Sequence, residues 1–211
     1  MTRTLGTIQG EGFDCTIQED PDGRVYFTAD ADIDADGANG QHGAPAAYRV
    51  DDSGSEALAN GGMAKRGNTV VCAQSWARDV VITNPDGNPR VFPGGVIASK
   101  TWYQIPGRHA DDPQAYVDAA TVPYIVVPPV IIRKTQGVVR GCRARVSLGS
   151  KSVECVVADQ GPSNRIGELS IAAAAALGLP SSPRNGGTEE PVVLYELWPG
   201  KAAPGYVLQP A

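Results

Sequence analysis

Histidine is nearly absent from this sequence and aromatic residues are sparse: two histidines and 6% Phe, Trp and Tyr in 211 residues. His42 and His109 stand alone in polar loops, with no serine or cysteine motif to serve, and read as surface residues. The four cysteines, at 15, 72, 142 and 155, include no Cys-x-x-Cys pair, which argues against a zinc site. Cys142 and Cys155 bracket a hairpin and are candidate cross-strand neighbours. With no apolar leader in MTRTLGTIQGEGFDC, no signal peptide is expected, and free buried thiols are the favoured reading. Long apolar runs are missing as well; YIVVPPVII (Tyr124 to Ile132) is broken by two prolines and is too short to span a membrane. There is no excess of basic charge. A net charge of −5 and a pI near 5.0 argue against a nucleic-acid partner and are compatible with a cationic ligand. No GxGxxG, phosphate loop, solenoid-length repeat or low-complexity tail is present.

What is abundant is glycine, at 25, and proline, at 17. That balance predicts short strands joined by turns and long loops, in a chain long enough for one domain, residues 1–211, with an N-terminal hairpin arm over 1–24. Pro21 to Gly23 reads as the turn between two alternating runs, and Pro85 to Gly87 as a second turn of the same kind. Further strands are predicted in VPYIVVPP, GVVRGCRARVSLG, KSVECVVAD and PVVLYELWPG, with a short helical turn in DPQAYVDAA. One helix is predicted, Ile171 to Leu177. Ser170 is its N-cap, Gly178 its C-terminal stop, and Ile171, Ala174, Ala175 and Leu177 its apolar face. The fold class is therefore mainly β with one or few short helices.

The stretch VVADQGPSNRIGELSIAAAAALGLP sets Asp159 and Glu168 on either side of a Gly-Pro turn, directly before that helix. Two acids so placed have a plain explanation, since a turn favours Asp and a helix N-terminus favours Glu. They also suit glycoside hydrolysis, in which one carboxyl group protonates the leaving oxygen while the other activates water or attacks. Ile166 is expected to insert into the core and Gly167 to let Glu168 project.

VVADQGPSNRIGELSIAAAAALGLPSSPRNGG resembles the signature of glycoside hydrolase family 75, the chitosanases first described in fungi. DADIDADG (Asp30 to Gly37) resembles that family's Ile-Asp-x-Asp-Gly element, and AYVDAATVPYIVVPP (Ala115 to Pro129) its Asp-x-x-x-x-Pro-Tyr-x-Val-x-Pro block. The blocks occur in the same order, over roughly residues 25 to 200. The last of them is also similar to a segment of the double-psi β-barrel proteins, among them expansins, family 45 cellulases and rare lipoprotein A. The resemblance implies a six-stranded double-psi barrel whose catalytic carboxylates are Asp159 and Glu168. Fungal members carry a longer acidic insertion where only Gln160 stands here, so Glu168 aligns more firmly than Asp159. Glu168 then takes the role of general acid and Asp159 that of base on water, although a helix N-terminus favours an ionised glutamate and burial or charge repulsion would have to oppose it.

Asp32, Asp34 and Asp36 match the first half of a calcium loop, but Gly43 stands where a bidentate glutamate is required. They read either as a solvated acidic turn or, by the resemblance, as carboxylates that pair with substrate ammonium groups; Asn185 is a candidate cleft residue or a plain turn. Trp76, Trp102, Tyr103 and Trp198 could stack on sugar rings or pack in the core. The expectation is an endo-acting, inverting hydrolase of β-1,4-glucosamine polymers, monomeric, without metal or organic cofactor and without a membrane or nucleic-acid partner. The alternatives are a peptidoglycan-cleaving barrel, such as a phage or secretion-system cargo, and a non-catalytic expansin-like glycan-binding barrel.

Overall fold

The computed structural model describes residues 1–9, 12–37, 47–56, 58–163 and 165–210; His42 and Gly43 lie outside them. In chain order the first strands are β1 (Arg3–Gln9), β2 (Asp14–Glu19), β3 (Val25–Asp34), β4 (Tyr48–Arg49), β5 (Met63–Arg66) and β6 (Thr69–Cys72). Helix α1 (Ala77–Val80), β7 (Val91–Phe92), β8 (Val96–Ile97), β9 (Tyr124–Val127) and α2 (Pro129–Lys134) follow. The chain ends with β10 (Cys142–Leu148), β11 (Lys151–Gln160), β12 (Glu168–Ser170), α3 (Ile171–Leu177) and β13 (Thr188–Ala202). These elements form two compact units, the first of residues 1–34 and 121–211 and the second of residues 35–120.

The first unit is a closed six-stranded β-barrel. Its strands run in the order β3-β12-β9-β11-β10-β13, and β13 pairs back onto β3 to close the ring. Alternation decides which side chains point inward. Val25, Phe27, Ala29, Ala31 and Ile33 of β3 are buried, as are Cys142, Ala144 and Val146 of β10 and Val193, Tyr195 and Leu197 of β13. Phe27 and Tyr195 are direct cross-strand partners whose rings stack with centroids 4.9 Å apart, a contact worth about 0.5–1.5 kcal/mol beyond its buried area. The four residues of β9 are all buried, which explains its unbroken apolar run. On the outer face, Glu196 is 2% exposed and held by Arg24 at 2.5 Å and Arg145 at 2.7 Å.

The predicted turns and cap are present. β2 and β3 pair around the Pro21–Gly23 turn, and β10 meets β11 through Leu148↔Lys151. Ser170 accepts a hydrogen bond from the Ala173 N–H at 3.2 Å, and Gly178 is left-handed with φ of 81°. The buried face of α3 is Ala173, Ala174 and Leu177; Ala175 is exposed and Ile171 half-buried, because the helix sits one position rotated from the expected stripe. Helix α2 was not expected: Pro129 occupies a first-turn position, where its missing N–H is harmless, so the Pro-Pro pair starts a helix as well as ending β9. All four cysteines are free, and Cys155 pairs in register with Ala144 rather than with Cys142. None of the helices among the described residues is long and apolar enough to cross a membrane.

Among the described residues the second unit is built from short pieces: the sheet β4-β8-β7, the hairpin β5-β6, α1 and two short 3-10 turns. Ile82, Ala98, Ala115 and Tyr116 form a small core with Phe92 against it. The turn at Pro85–Gly87 is closed by the Gly87 N–H on the Asn84 carbonyl at 2.9 Å, and the expected helical turn near 113 is a 3-10 turn, Pro113–Ala115.

Candidate active site

The barrel gathers four of the predicted residues: Asp159, Glu168, Asp32 and Asp34. Asp159 is near the end of β11, which runs parallel to β9, and the ladder between them slips at this point. Val157 pairs with Ile125, yet Asp159 pairs with Val126, so Ala158 is an extra residue in the strand. Such a bulge breaks the alternation and re-aims the next side chain. It accounts for a strand in which Cys155 through Asp159 are all buried, the aspartate at 8% exposure. One Asp159 carboxylate oxygen accepts the Gln160 N–H at 2.7 Å.

The chain after Asp159 stays on the barrel for one more rung, with the Gly161 N–H on the Val127 carbonyl at 3.2 Å. It returns as β12, whose Glu168 lies opposite Asp32 in a parallel pairing with β3. Gly167 makes that return possible. Its φ is +97°, and a Cβ there would stand 2.2 Å from the Asp30 carboxylate, so no side chain fits. The Glu168 side chain then folds back toward the loop that follows Asp159: a Cβ placed on Gly161 would be 3.4 Å from Glu168 Oε2. The Glu168 carboxylate thus lies beside Gly161, two positions after Asp159, and Glu168 begins a strand where it was expected to precede a helix directly.

Three further groups shape this acidic edge. Asp34, 3% exposed, accepts a hydrogen bond from the fully buried Tyr124 hydroxyl at 3.0 Å. Asp34 and Asp159 offer carboxylate oxygens within 4.8 Å of one another, close enough for a shared proton or a bridging cation. Tyr195 donates from its hydroxyl to the Asp30 carbonyl at 2.9 Å. Burial, and then the charges of Asp30, Asp32 and Glu168, hold its phenol well above the ordinary value, so it remains a donor. Asp32 itself is exposed, with its N–H bonded to the Gly167 carbonyl at 2.8 Å.

Asp36 belongs to the second unit, where its charge contributes to holding the buried Tyr48 phenol protonated. Asn185 is exposed in the turn before β13, and the Thr188↔Ala31 pairing brings that turn alongside the acidic end of β3. Among the aromatics, Tyr103 is buried, Trp76 is 44% exposed, and Trp198 is half-buried on the outer barrel face beneath the Arg143 and Arg145 guanidinium groups. Tyr124 and Tyr195 were not singled out from sequence. Tyr195 has a signal in hindsight, since it falls on the inward register of β13 while carrying a polar tip that must find a partner. The chain matches no protein-family profile and no curated protein sequence.

Proposed function

We propose that the chain is an endo-acting glycoside hydrolase that cleaves β-1,4-glucosamine linkages of a chitosan-like polymer by inversion. The observation that carries this reading is the pair of placements on one barrel edge, a bulge-aimed Asp159 at the end of β11 and a returning Glu168 whose carboxylate lies beside Gly161, a position with no side chain to obstruct a substrate. Two carboxyl groups and a water are the complete chemical requirement. In this reading Glu168 protonates the glycosidic oxygen and Asp159 draws the proton from the attacking water. Asp32 and Asp34 provide negative charge for the ammonium groups of the sugar, Asp34 from a buried position braced by Tyr124. The barrel is read as double-psi, supported by its two parallel pairs, β9–β11 and β3–β12, among antiparallel neighbours.

A second assignment of roles is favoured by the closeness of Asp34 to Asp159, because two carboxylates within 4.8 Å resist ionising together. A proton kept there would make Asp159 the acid and Glu168 the base. An aryl glycoside with a good leaving group separates the two, since it needs no protonation and restores turnover only to the variant that has lost the acid. Glu168→Gln is expected to lose chitosan turnover by about 100-fold or more while keeping its thermal midpoint and substrate affinity. Aryl glycoside turnover rescued in Glu168→Gln supports the first assignment, and rescue in Asp159→Asn the second. Near-full chitosan hydrolysis by both variants would return the pair to turn and helix-start duty. Reducing-end release from peptidoglycan but not from chitosan would redirect the reading to a wall-cleaving enzyme, and binding without any turnover to a non-catalytic barrel.

A further inference from the structure

The barrel unit carries an open cleft of about 500 Å³ whose chemistry is opposite to that of the acidic edge. Four cationic side chains line it, Arg3, Arg133, Lys134 and Lys201, against two anionic ones, Glu19 and Asp22. In a chain of net charge −5 this is a local reversal of sign. Arg3 is satisfied by Glu19 at 2.5 Å, and Lys134 donates to the Leu5 carbonyl at 2.8 Å. Arg133 and Lys201 differ: among the described residues their side chains have neither an ion pair nor a hydrogen bond.

The walls are fixed by backbone bonds. The loop after α2 is tied to the end of β13 by the Gly200 N–H on the Gly137 carbonyl at 2.8 Å, which fixes the segments that carry Arg133 and Lys201 into the cleft lining. Lys134 ties α2 to β1 on the other flank. Behind the cleft, Trp198 is flanked by Arg143 and Arg145 at 4.5 and 5.2 Å, and both guanidinium groups are already neutralised, by Glu154 and Glu196. The cleft opens beside Gly23, just before β3, whereas Asp32 and Asp34 are at the other end of that strand, up to roughly 30 Å away along its ten residues.

We infer that this cleft is a binding site for an oxyanion group, carboxylate or phosphate, distinct from the acidic edge. Arg133 and Lys201 are the two cations that would hold it, Arg133 through its planar fork of donors and Lys201 as a point charge. The inference rests on charge and shape alone and stands whether or not the hydrolase reading does. A polymer bearing such groups would be gripped here by its anions, whereas chitosan would be repelled.

The test titrates the full chain with inorganic pyrophosphate, with an oligogalacturonide, and with a neutral cello-oligosaccharide of the same length, by calorimetry at low salt. Saturable binding of either oxyanion probe and none of the neutral sugar is expected. The probe that binds identifies phosphate or carboxylate as the source. Affinity should fall about tenfold or more in the Arg133→Gln/Lys201→Gln double variant, fall by less in Arg133→Lys, which keeps the charge but loses the fork, and weaken with added salt. Both residues are exposed, so an unchanged thermal midpoint checks that the variants fold. Absence of saturable binding of both oxyanion probes up to about 10 mM, equal binding by the double variant, or equal binding of the neutral sugar would each overturn the inference.

Discussion

Replacing Gly167 and Gly161 separately with alanine divides the support of the acidic edge from its working surface. At Gly167 the backbone is in the region that side chains rarely adopt, with φ of +97°, and the new methyl would meet the Asp30 carboxylate at 2.2 Å, the Asp30 carbonyl at 2.9 Å and Ala29 Cβ at 3.0 Å. Backbone strain of about 1–3 kcal/mol adds to overpacking of a similar size, for a loss of about 2–5 kcal/mol. For a chain of this length that lowers the melting temperature by about 5–15 °C. At Gly161 the nearest atoms to the new methyl would be Val126 Cγ1 at 3.2 Å and Glu168 Oε2 at 3.4 Å, tight but tolerable, and no positive φ opposes it. Reduced freedom of the unfolded chain offsets the crowding, so stability should change by less than about 1 kcal/mol. The methyl nevertheless dries one side of the Glu168 carboxylate, and on the proposed hydrolase reading chitosan turnover should fall while the melting temperature holds. Calorimetric melting together with reducing-end assays reads both effects. A Gly167→Ala protein melting within about 2 °C of the parent would refute the geometry of the return into β12. Equal melting losses in the two variants would refute the distinction between the glycines.

Ser170→Ala should destabilise by about 1–3 kcal/mol, more than a surface cap, because its hydroxyl accepts from the Ala173 and Tyr124 N–H groups and donates to the Val122 carbonyl at 2.8 Å; a loss below about 0.5 kcal/mol in denaturant melts would contradict that bonding. Tyr124→Phe removes a donor to the buried Asp34 and should lower the denaturant midpoint by the equivalent of about 1–3 kcal/mol, and an unchanged midpoint would show that the bond contributes nothing. Burial pushes the Cys15 and Cys155 thiols up to about 12 and Cys142 to about 11, from an ordinary 9.0. The unfolded thiols therefore release protons above pH 9 while the folded ones keep theirs, so these residues make stability decline from about pH 9 toward pH 12, and melts at pH 8 and pH 10 that coincide would refute this. At pH 8 a disulfide reagent should reach the half-buried Cys72 first and the other three thiols only on unfolding, and early labelling of Cys15 or Cys155 would be the contrary result.

Features that depend on a few adjacent residues were readable from the sequence. The Pro21–Gly23 turn, the Leu148↔Lys151 hairpin and the Ser170 cap of α3 are set by local chemistry, and all three are found. Asp159 and Glu168 could be picked out because acids flanking a Gly-Pro turn form a compact pattern, and the structure places Asp159 at the end of β11 and the Glu168 carboxylate beside Gly161. What aims Asp159 could not be read, because the slip between Val157 and Asp159 exists only relative to β9, whose residues are 30 or more positions upstream. The pairing of Glu168 with Asp32 was hidden for the same reason. Helix α2 was lost because proline stops one element and starts another with the same letter. The basic cleft was invisible, since its cations come from β1, α2 and β13, and net charge averages them away.

The seam that closes the barrel joins residues very far apart in the chain: the Arg24 and Glu196 side chains, one at the threshold of β3 and one on β13, are separated by 172 positions. Between β3 and its other neighbour, β12, the chain also builds the whole of the second unit. During synthesis at about 5–20 residues per second, β3 therefore waits on the order of ten seconds for the strands that flank it. In that interval its apolar face and the hydrogen-bonding edges later covered by β12 and β13 stay open, apart from the short hairpin contact with β2. The ring can form only late and nearly all at once, with a high average contact separation and correspondingly slow folding. The alternating aspartates at 30, 32 and 34 give that waiting strand something besides a place in the acidic edge: like charges that discourage β3 from pairing with another copy of itself before its own partners arrive.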